Sequence, residues 1–510
     1  MELAILGVVG LLAFCVSSIR YIRIAQREHY LAGSVTRFAS RWMKLSLSPL
    51  LWVVSFGLAV GTLFLAPLAL GAFALSDTVP IGLSYRGSSG KLKWTRRLKT
   101  LFGLEVTLIV AIYLLVLLIF GSNLALLTIA LCNVFGFLIC DLSLLISEPI
   151  EQFVGRKYIN NAAKKLKEIN PQIVAITGSY GKTSTKNAVS SLLSGLKATV
   201  ASPASFNNKY GLSRTVLDYL LPSTEVLVAE MGTYKPGEIK DLTKWMPPMV
   251  AAITAIGPVH LERMKSEDNI LLAKSEIFLK DTVAVLTVDD QRLKNLANEI
   301  EGRGNRVIRV STSPDPNEPC DIRIVQENSS LKIFYNGELL GEGPDISDIL
   351  PISNFAVAMG ICVGLGVSIE SLLDNVNKIA PVEHRSNVST ADSGIVVVDD
   401  TYNANPASVQ LSLEKGEKLV SPKGRLVVVT PGMVELGVRQ DLENEIFGQK
   451  IKDKNAELVV VGKTNRSALK KGYGGAIEVA NRPDAVKWVR SNLSNGDVVC
   501  YINDLPDHFP

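Results

Sequence analysis

Thr177-Gly178-Ser179-Tyr180-Gly181-Lys182-Thr183-Ser184-Thr185 follows the apolar run Ile173 to Ile176 and precedes a helix-like stretch from Asn187 to Leu193. In such a strand, glycine loop and helix start, backbone N–H groups and the positive end of the helix dipole face an anion. The lysine adds a mobile charge, and the hydroxyl after it can ligate Mg²⁺. The pattern predicts a nucleoside triphosphate site lined by Gly178, Ser179, Tyr180, Gly181, Lys182, Thr183 and Ser184. The general phosphate-loop pattern has a further glycine at 176, where this chain has Ile176.

Other residues have types and positions that could act with this loop. Glu230 ends the apolar run Val226 to Ala229, where a carboxylate is costly unless paired or bound to metal. A Mg²⁺–phosphate partner, a helix cap and a salt bridge are its three readings. His260 follows the run from Met249 to Ile256 and reads either as a ligand or acid/base group or as a structural loop histidine. Ligands of open parallel sheets lie beyond the carboxyl ends of the strands, which predicts that Lys182, Glu230 and His260 share one crevice. Lys274 falls inside the apolar stripe Ile270, Ile277 and Phe278 of a predicted helix over 267–280. It must snorkel, pair or lose its charge, and spacing alone favours snorkelling. A neutral amine there could instead take up CO₂ as a carbamate and become a carboxylate-like Mg²⁺ ligand. The run from Asp399 to Pro406 is rich in hydrogen-bonding groups, and reads either as part of a site or as an Asx-turn leading into a helix.

The elements that must hold these residues divide the 510-residue chain, which is long enough for three or four domains. Residues 1–148 contain nearly all the long uncharged runs, and 149–510 have the mixed pattern of soluble α/β domains. Membrane helices are expected at about 3–19, 49–75 and 106–147, the last broken at Gly121-Ser122-Asn123. Glu2 and the later apolar spans argue against a cleaved signal peptide. The basic stretches 20–48 and 76–102 are expected on the cytoplasmic side, so 49–75 should form two short crossings or re-enter, with breaks at Gly61 and Pro67. The net charge of +4 comes mostly from these flanks, which points to anionic lipid headgroups and away from nucleic acid. The six cysteines show no C-x-x-C pair, an ordinary reduced, cytosol-facing usage. Runs near 395–399, 425–430, 457–462 and 497–502 predict a second, smaller Rossmann-like domain, and 303–350, with Asn336-Gly337, a β insertion.

TGSYGKTST at 177–185, SFNNKYGLS at 205–213, VAEMGTYKPGEI at 228–239, AIGPVHLERM at 255–264, AKSEIF at 273–278 and DDTYNANPAS at 399–408 resemble, in order and spacing, the Mur ligases, above all the MurF type. The resemblance covers about 149–470, and the missing glycine at 176 is normal for that family. With the apolar N-terminus, it implies an α-helical transmembrane domain (1–148), a phosphate-loop central Mur ligase domain (149–382) and a C-terminal Rossmann-like α/β domain (383–510). It also implies ATP-dependent amide-bond formation in peptidoglycan precursor synthesis, through an acyl phosphate on a muropeptide carboxylate that an amine such as D-alanyl-D-alanine then takes.

Carried over by position, Lys182 and the loop hold ATP, Thr183 and Glu230 one Mg²⁺, and His260 with a carbamoylated Lys274 a second. Asn354 falls at the adenine, Arg385 near the nucleotide and Asp400 at the ribose; Asn207 and Asn208 face the acyl substrate, and Tyr402, Asn403 and Asn405 the amine. Thr233-Tyr234-Lys235 departs from the family's Ala-Asn-His, and the end of the chain lacks its lysine-glycine-serine. A membrane domain in place of the sugar-nucleotide domain suggests a lipid-linked or otherwise membrane-presented substrate, and a multi-pass protein of the bacterial cell membrane with cytoplasmic catalytic domains. The rivals are a membrane ligase making a poly-γ-glutamate-type polymer, an ATP-driven transporter, and an ATP-binding scaffold without turnover. Ile176 and Lys274 oppose the transporter.

Overall fold

A computed structural model describes residues 2–44, 47–83, 85, 92–327, 330–347, 349–380, 387–402, 404–505 and 508–509. They form two compact units: Met1–Gly155 with Gly462–Thr464 and Asp504–Pro510, and Arg156–Val461 with Asn465–Asn503.

The first unit is helical. Glu2–Arg27 and Arg96–Phe120, of 26 and 25 residues, are long and apolar enough to cross a membrane. Ser48–Gly61 and Leu68–Thr78 form the short pair expected at 49–75, parted at Gly61 and Pro67. At 1.5 Å per residue they reach only about 21 and 17 Å, short of a hydrocarbon core of about 30 Å. The expected break at Gly121 separates Arg96–Phe120 from Ser122–Val134, and a second bend of 85° follows before Gly136–Ile169. Phe14, Phe73, Ile109, Leu126 and Ile129 fill the interior. Gly7 and Gly10 let the first helix approach closely, because a Cβ on them would lie 2.0 Å from the Tyr113 hydroxyl and 2.5 Å from the Phe73 ring. Outward faces are apolar as well, with Leu12, Phe64 and Leu118 at 62%, 88% and 83% exposure.

Arg20 and Arg23, read from sequence as loop charges, are buried in the first helix. The Arg20 guanidinium donates to Ser76 O (2.9 Å) and Val79 O (3.1 Å), which satisfies carbonyls at the end of Leu68–Thr78. His508 and Phe509 pack on Phe38 with ring centroids 4.5 and 4.8 Å away, His508 Nε2 lies 2.9 Å from Glu28 Oε1, and the Trp42 indole donates to His508 O.

The second unit is α/β and holds two sheets. Strands of the first are β1 (Gln172–Thr177), β2 (Thr199–Ala201), β3 (Val226–Glu230), β4 (Val250–Ile253), β5 (Val283–Thr287), β6 (Val307–Ser311), β7 (Ile322–Glu327), β8 (Ser330–Tyr335) and β9 (Glu338–Pro344). Their order is β2-β3-β1-β4-β5-β6-β7-β8-β9, parallel through β7 and antiparallel at β7-β8-β9. The alternation of β1 explains its central place. Val174 and Ile176 face the layer of helices Lys182–Leu192 and Ile352–Gly364, and Ile173 and Ala175 face that of Lys209–Tyr219, Glu238–Trp245 and Gln291–Gly302. The stretch 303–350 is thus no insertion: β6 continues the parallel sheet, and β7 to β9 form its antiparallel edge. Asn336 and Gly337, both at positive φ (49° and 86°), make the two-residue turn between β8 and β9.

The second sheet contains β10 (Asn387–Thr390), β11 (Val396–Asp400), β12 (Leu426–Thr430), β13 (Glu457–Val461), β14 (Ile477–Val479) and β15 (Val498–Ile502), ordered β10-β11-β15-β12-β13-β14. All neighbours are parallel except β10-β11, which gives the Rossmann-like pattern expected from the four predicted runs.

Candidate nucleotide and metal site

The order β3-β1-β4 brings the loops after these strands to one edge of the sheet. The loop after β1 is clamped from β4's side. Ser179 N donates to Ala255 O (2.7 Å), Thr254 N to Thr177 O (2.9 Å), Ser179 Oγ to Gly257 O (3.1 Å), and the Thr254 hydroxyl to Tyr180 O. Gly178 (φ 153°) and Gly181 (φ 80°) are needed for this path: a Cβ would lie 2.0 Å from Thr254 Oγ1 in the first and 2.3 Å from Asn354 Oδ1 in the second. The helix then begins at Lys182, five residues before the expected Asn187, so its positive end directly follows the loop. The Tyr180 hydroxyl is buried, with no hydrogen-bond partner among the described residues.

Two lysines converge on one carbonyl. Lys182 Nζ donates to Gly178 O at 2.7 Å, and Lys274 Nζ to the same oxygen at 3.0 Å. Lys274 is only 4% exposed, which contradicts snorkelling. Its helix spans Glu267–Ser275, shorter than the expected 267–280, and the side chain runs inward to the loop. Burial first, and then the Lys182 charge, hold the Lys274 amine well below the ordinary lysine range.

Glu230 is 2% exposed and fully engaged. Thr183 Oγ1 donates to Oε2 at 2.8 Å, Asn207 Nδ2 to Oε1 at 3.1 Å, and Lys186 Nζ lies 3.6 Å from Oε2. Lys186, 2% exposed, also donates to Ser202 O (2.7 Å) and Ala204 O (2.8 Å). The salt-bridge reading of Glu230 is therefore real and does not compete with the metal reading. Its Thr183 partner supplies a second hard oxygen, the donor type Mg²⁺ prefers, beside the glycine cradle. Sequence reasoning missed Lys186, although its place one helical turn after Lys182 was a readable signal.

His260 has its contacts with a further set of residues. It adopts a left-handed backbone (φ 57°), its ring meets Tyr234 edge-on at 4.9 Å, and its Nδ1 is hydrogen-bonded to Glu435 Oε2 in the loop after β12. Arg263 donates to Glu435 Oε1 (3.3 Å) and lies 4.6 Å over the Tyr234 ring. Nearby, Glu267 takes Arg439 at 2.7 Å and Arg292 as well. Among the described residues no three His, Cys, Asp or Glu side chains converge on one point, so metal ligands here would be of mixed type.

The other expected site residues lie around this frame. Asn354 is buried against Gly181. Asp400, at the end of β11, accepts from Ser412 Oγ at 2.6 Å, and Tyr402 is half exposed. Asn208 and Asn405 are helix caps: Asn208 accepts from Tyr210 N and Gly211 N, and Asn405 from Ala407 N and Ser408 N. For Asn405 the turn reading of 399–406 is the one observed. Ser184 is half-buried in the first turn after the loop. Arg385 and Asn403 lie outside the described residues.

The family described as Mur ligase middle domain matches residues 176–360, and the Mur ligase, glutamate ligase domain matches 384–502. The UDP-N-acetylmuramoyl-tripeptide--D-alanyl-D-alanine ligase of Mycobacterium leprae is 32% identical over 362 residues, covering 64% of this chain and 70% of that protein. Among solved structures, the MurF ligase of Thermotoga maritima in complex with ADP is similar at 25% identity and a TM-score of 0.58, covering 68% of this chain and 80% of that one. MurF of Acinetobacter baumannii shares the fold, at 22% identity and a TM-score of 0.58, covering 68% and 76%.

Proposed function

The chain belongs to the Mur ligase family, and we propose that it is an ATP-dependent ligase of MurF type, which activates a muropeptide carboxylate and joins it to D-alanyl-D-alanine. One observation carries this reading: Lys274 is buried with its amine on the carbonyl of the phosphate loop that Lys182 also holds. A binder or a motor has no use for a neutral lysine at that place.

In this reading Lys182 and the first N–H groups of Lys182–Leu192 hold the phosphates, where charge builds up as the γ-phosphoryl group transfers. Thr183 and Glu230 would hold one Mg²⁺, and His260 with Lys274 a second. Mg²⁺ held by these residues would supply neutralisation of the charge that develops on the phosphates. Lys274 takes up CO₂ by forming an N–C bond and releasing a proton, so that an amine becomes an anionic oxygen donor. The substrate carboxylate attacks the γ-phosphorus and ADP leaves; the amine then attacks the acyl carbon, phosphate leaves and the nitrogen gives up a proton. Asn354 and Asp400 would meet adenine and ribose. Asn207 would lie on the acyl-substrate side and Tyr402 on that of the amine. Asn208 and Asn405 act through the helix ends they cap.

We read residues 1–148 as a membrane domain of a multi-pass protein, with 149–382 and 383–510 as cytoplasmic catalytic domains. The length of Glu2–Arg27 and Arg96–Phe120 and their apolar outward faces support this. A lipid-linked or otherwise membrane-presented tripeptide follows as the acyl substrate.

Amine-dependent phosphate release by the full chain tests the reading. Lys274→Ala is expected to lose about 100-fold or more, with partial rescue by acetate, which returns a carboxylate to the emptied space. Unchanged activity refutes the carbamate, and equal turnover of soluble nucleotide tripeptide and lipid-linked tripeptide in vesicles removes the case for membrane presentation.

A further inference from the structure

We infer that Glu435 is a positioning residue for the second metal site: from the loop after β12 it fixes the tautomer and direction of the His260 imidazole. This rests on the reading of His260 as a metal ligand.

An imidazole nitrogen can ligate a metal only through a lone pair, so one ring nitrogen must carry the proton and the other must face the ion. Glu435 Oε2 takes Nδ1 as its partner, which places the proton there and leaves the Nε2 lone pair for the metal. The rest of the cluster fixes the same geometry. Tyr234 meets the ring edge-on, and Arg263 donates to the other Glu435 oxygen while lying over the Tyr234 face. His260 and Glu435 both carry a Cβ and both sit at left-handed φ, 57° and 63°. Such backbone is disfavoured and persists only where surroundings over-determine it, a condition characteristic of functional sites. An ordinary ion pair on a domain surface needs neither backbone.

The test uses the full chain with ADP and titrates Mn²⁺ binding by electron paramagnetic resonance, alongside the Mg²⁺ dependence of phosphate release. Glu435→Ala is expected to raise the metal concentration for half-saturation of the weaker site by roughly 10- to 100-fold, the usual cost of losing a carboxylate behind a ligating histidine. Its metal-free ADP affinity should stay within about twofold of wild type, and its rate should largely recover at saturating Mg²⁺, a split that lost folding cannot produce. Glu435→Gln, whose amide oxygen still accepts from Nδ1, should fall between the two. The Glu435→Ala/His260→Ala pair should be no weaker than His260→Ala alone. A wild-type metal midpoint in both Glu435 variants, with a shifted one in His260→Ala, overturns the inference and spares the metal reading. Wild-type midpoints in all variants overturn the metal reading and the inference with it.

Discussion

Replacing Lys274 by Met tests the central claim about this pocket without any substrate. Folding carries the Lys274 amine into a place where burial and Lys182 disfavour its charge, while the unfolded chain keeps the ordinary value of 10.5. The unfolded state therefore binds more protons between the lowered folded value and 10.5, and wild-type stability rises with pH through that window, by about 1.4 kcal/mol per unit for one proton. At pH 7.5, about three units below, the cost of delivering a neutral amine reaches at most about 4 kcal/mol. Methionine fills nearly the same volume and needs no deprotonation, but it gives up the 3.0 Å bond to Gly178 O, worth about 1 kcal/mol. Lys274→Met should thus be the more stable protein, by up to about 3 kcal/mol and a few degrees in apparent midpoint, while phosphate release collapses. The assay is thermal unfolding of both proteins between pH 6.5 and 9, in CO₂-free buffer without nucleotide, since a carbamate would remove the wild-type deficit. The gap should narrow as pH rises. A gap independent of pH, or a less stable variant, would mean a charged and paired lysine and would refute the argument.

Removing Lys186 leaves Glu230 buried without its cation, so Lys186→Met should lower stability by about 3 kcal/mol, and by clearly less in a Glu230→Gln background; equal losses in both backgrounds would show that the pair at 3.6 Å is not coupled. Gly181→Ala places a Cβ 2.3 Å from Asn354 Oδ1 at a φ of 80°, and ADP affinity by calorimetry should fall tenfold or more. Asn405→Ala should cost about 1 kcal/mol of stability through the lost cap, read as a lower unfolding midpoint. An amine KM that rises with it marks a second role for the cap in the substrate site.

What could be read in the chain follows the range of the forces involved. The phosphate loop, β1 and the glycine cradle are local: nine consecutive residues state the turn, the charge and the helix start. Four of the six strands of the second sheet were legible because runs such as Val396 to Asp400 and Leu426 to Thr430 are short and apolar with polar ends, whereas the edge strands Asn387–Thr390 and Ile477–Val479 were not. Lys274 was misread on spacing because a stripe position does not say which way the side chain runs, and its helix ends at Ser275, before Ile277 and Phe278, two of the three residues that defined the stripe. Arg20 was misread for the complementary reason. A basic residue at the end of an apolar run looks like a membrane flank until carbonyls from Ser76 and Val79 are found to receive it.

The two halves of the site differ in how they are assembled. Lys182, Thr183, Lys186 and Glu230 are brought together by neighbouring parallel strands and by one helix, so their contacts form whenever the first sheet forms. The place of His260 depends on Glu435, 175 positions away on a loop of the other sheet. In the proposed reading the first set would grip a nucleotide on its own, whereas the second would need both sheets in contact, as they also are through Glu267 and Arg439. On the proposed function, that division would let nucleotide bind before activation of the carboxylate, which would depend on contact with the second sheet. Loosening the docking with Arg439→Ala should therefore leave ADP affinity near wild type while amine-dependent phosphate release falls several-fold. A variant in which both fall together would mean that the first sheet does not hold its nucleotide site alone.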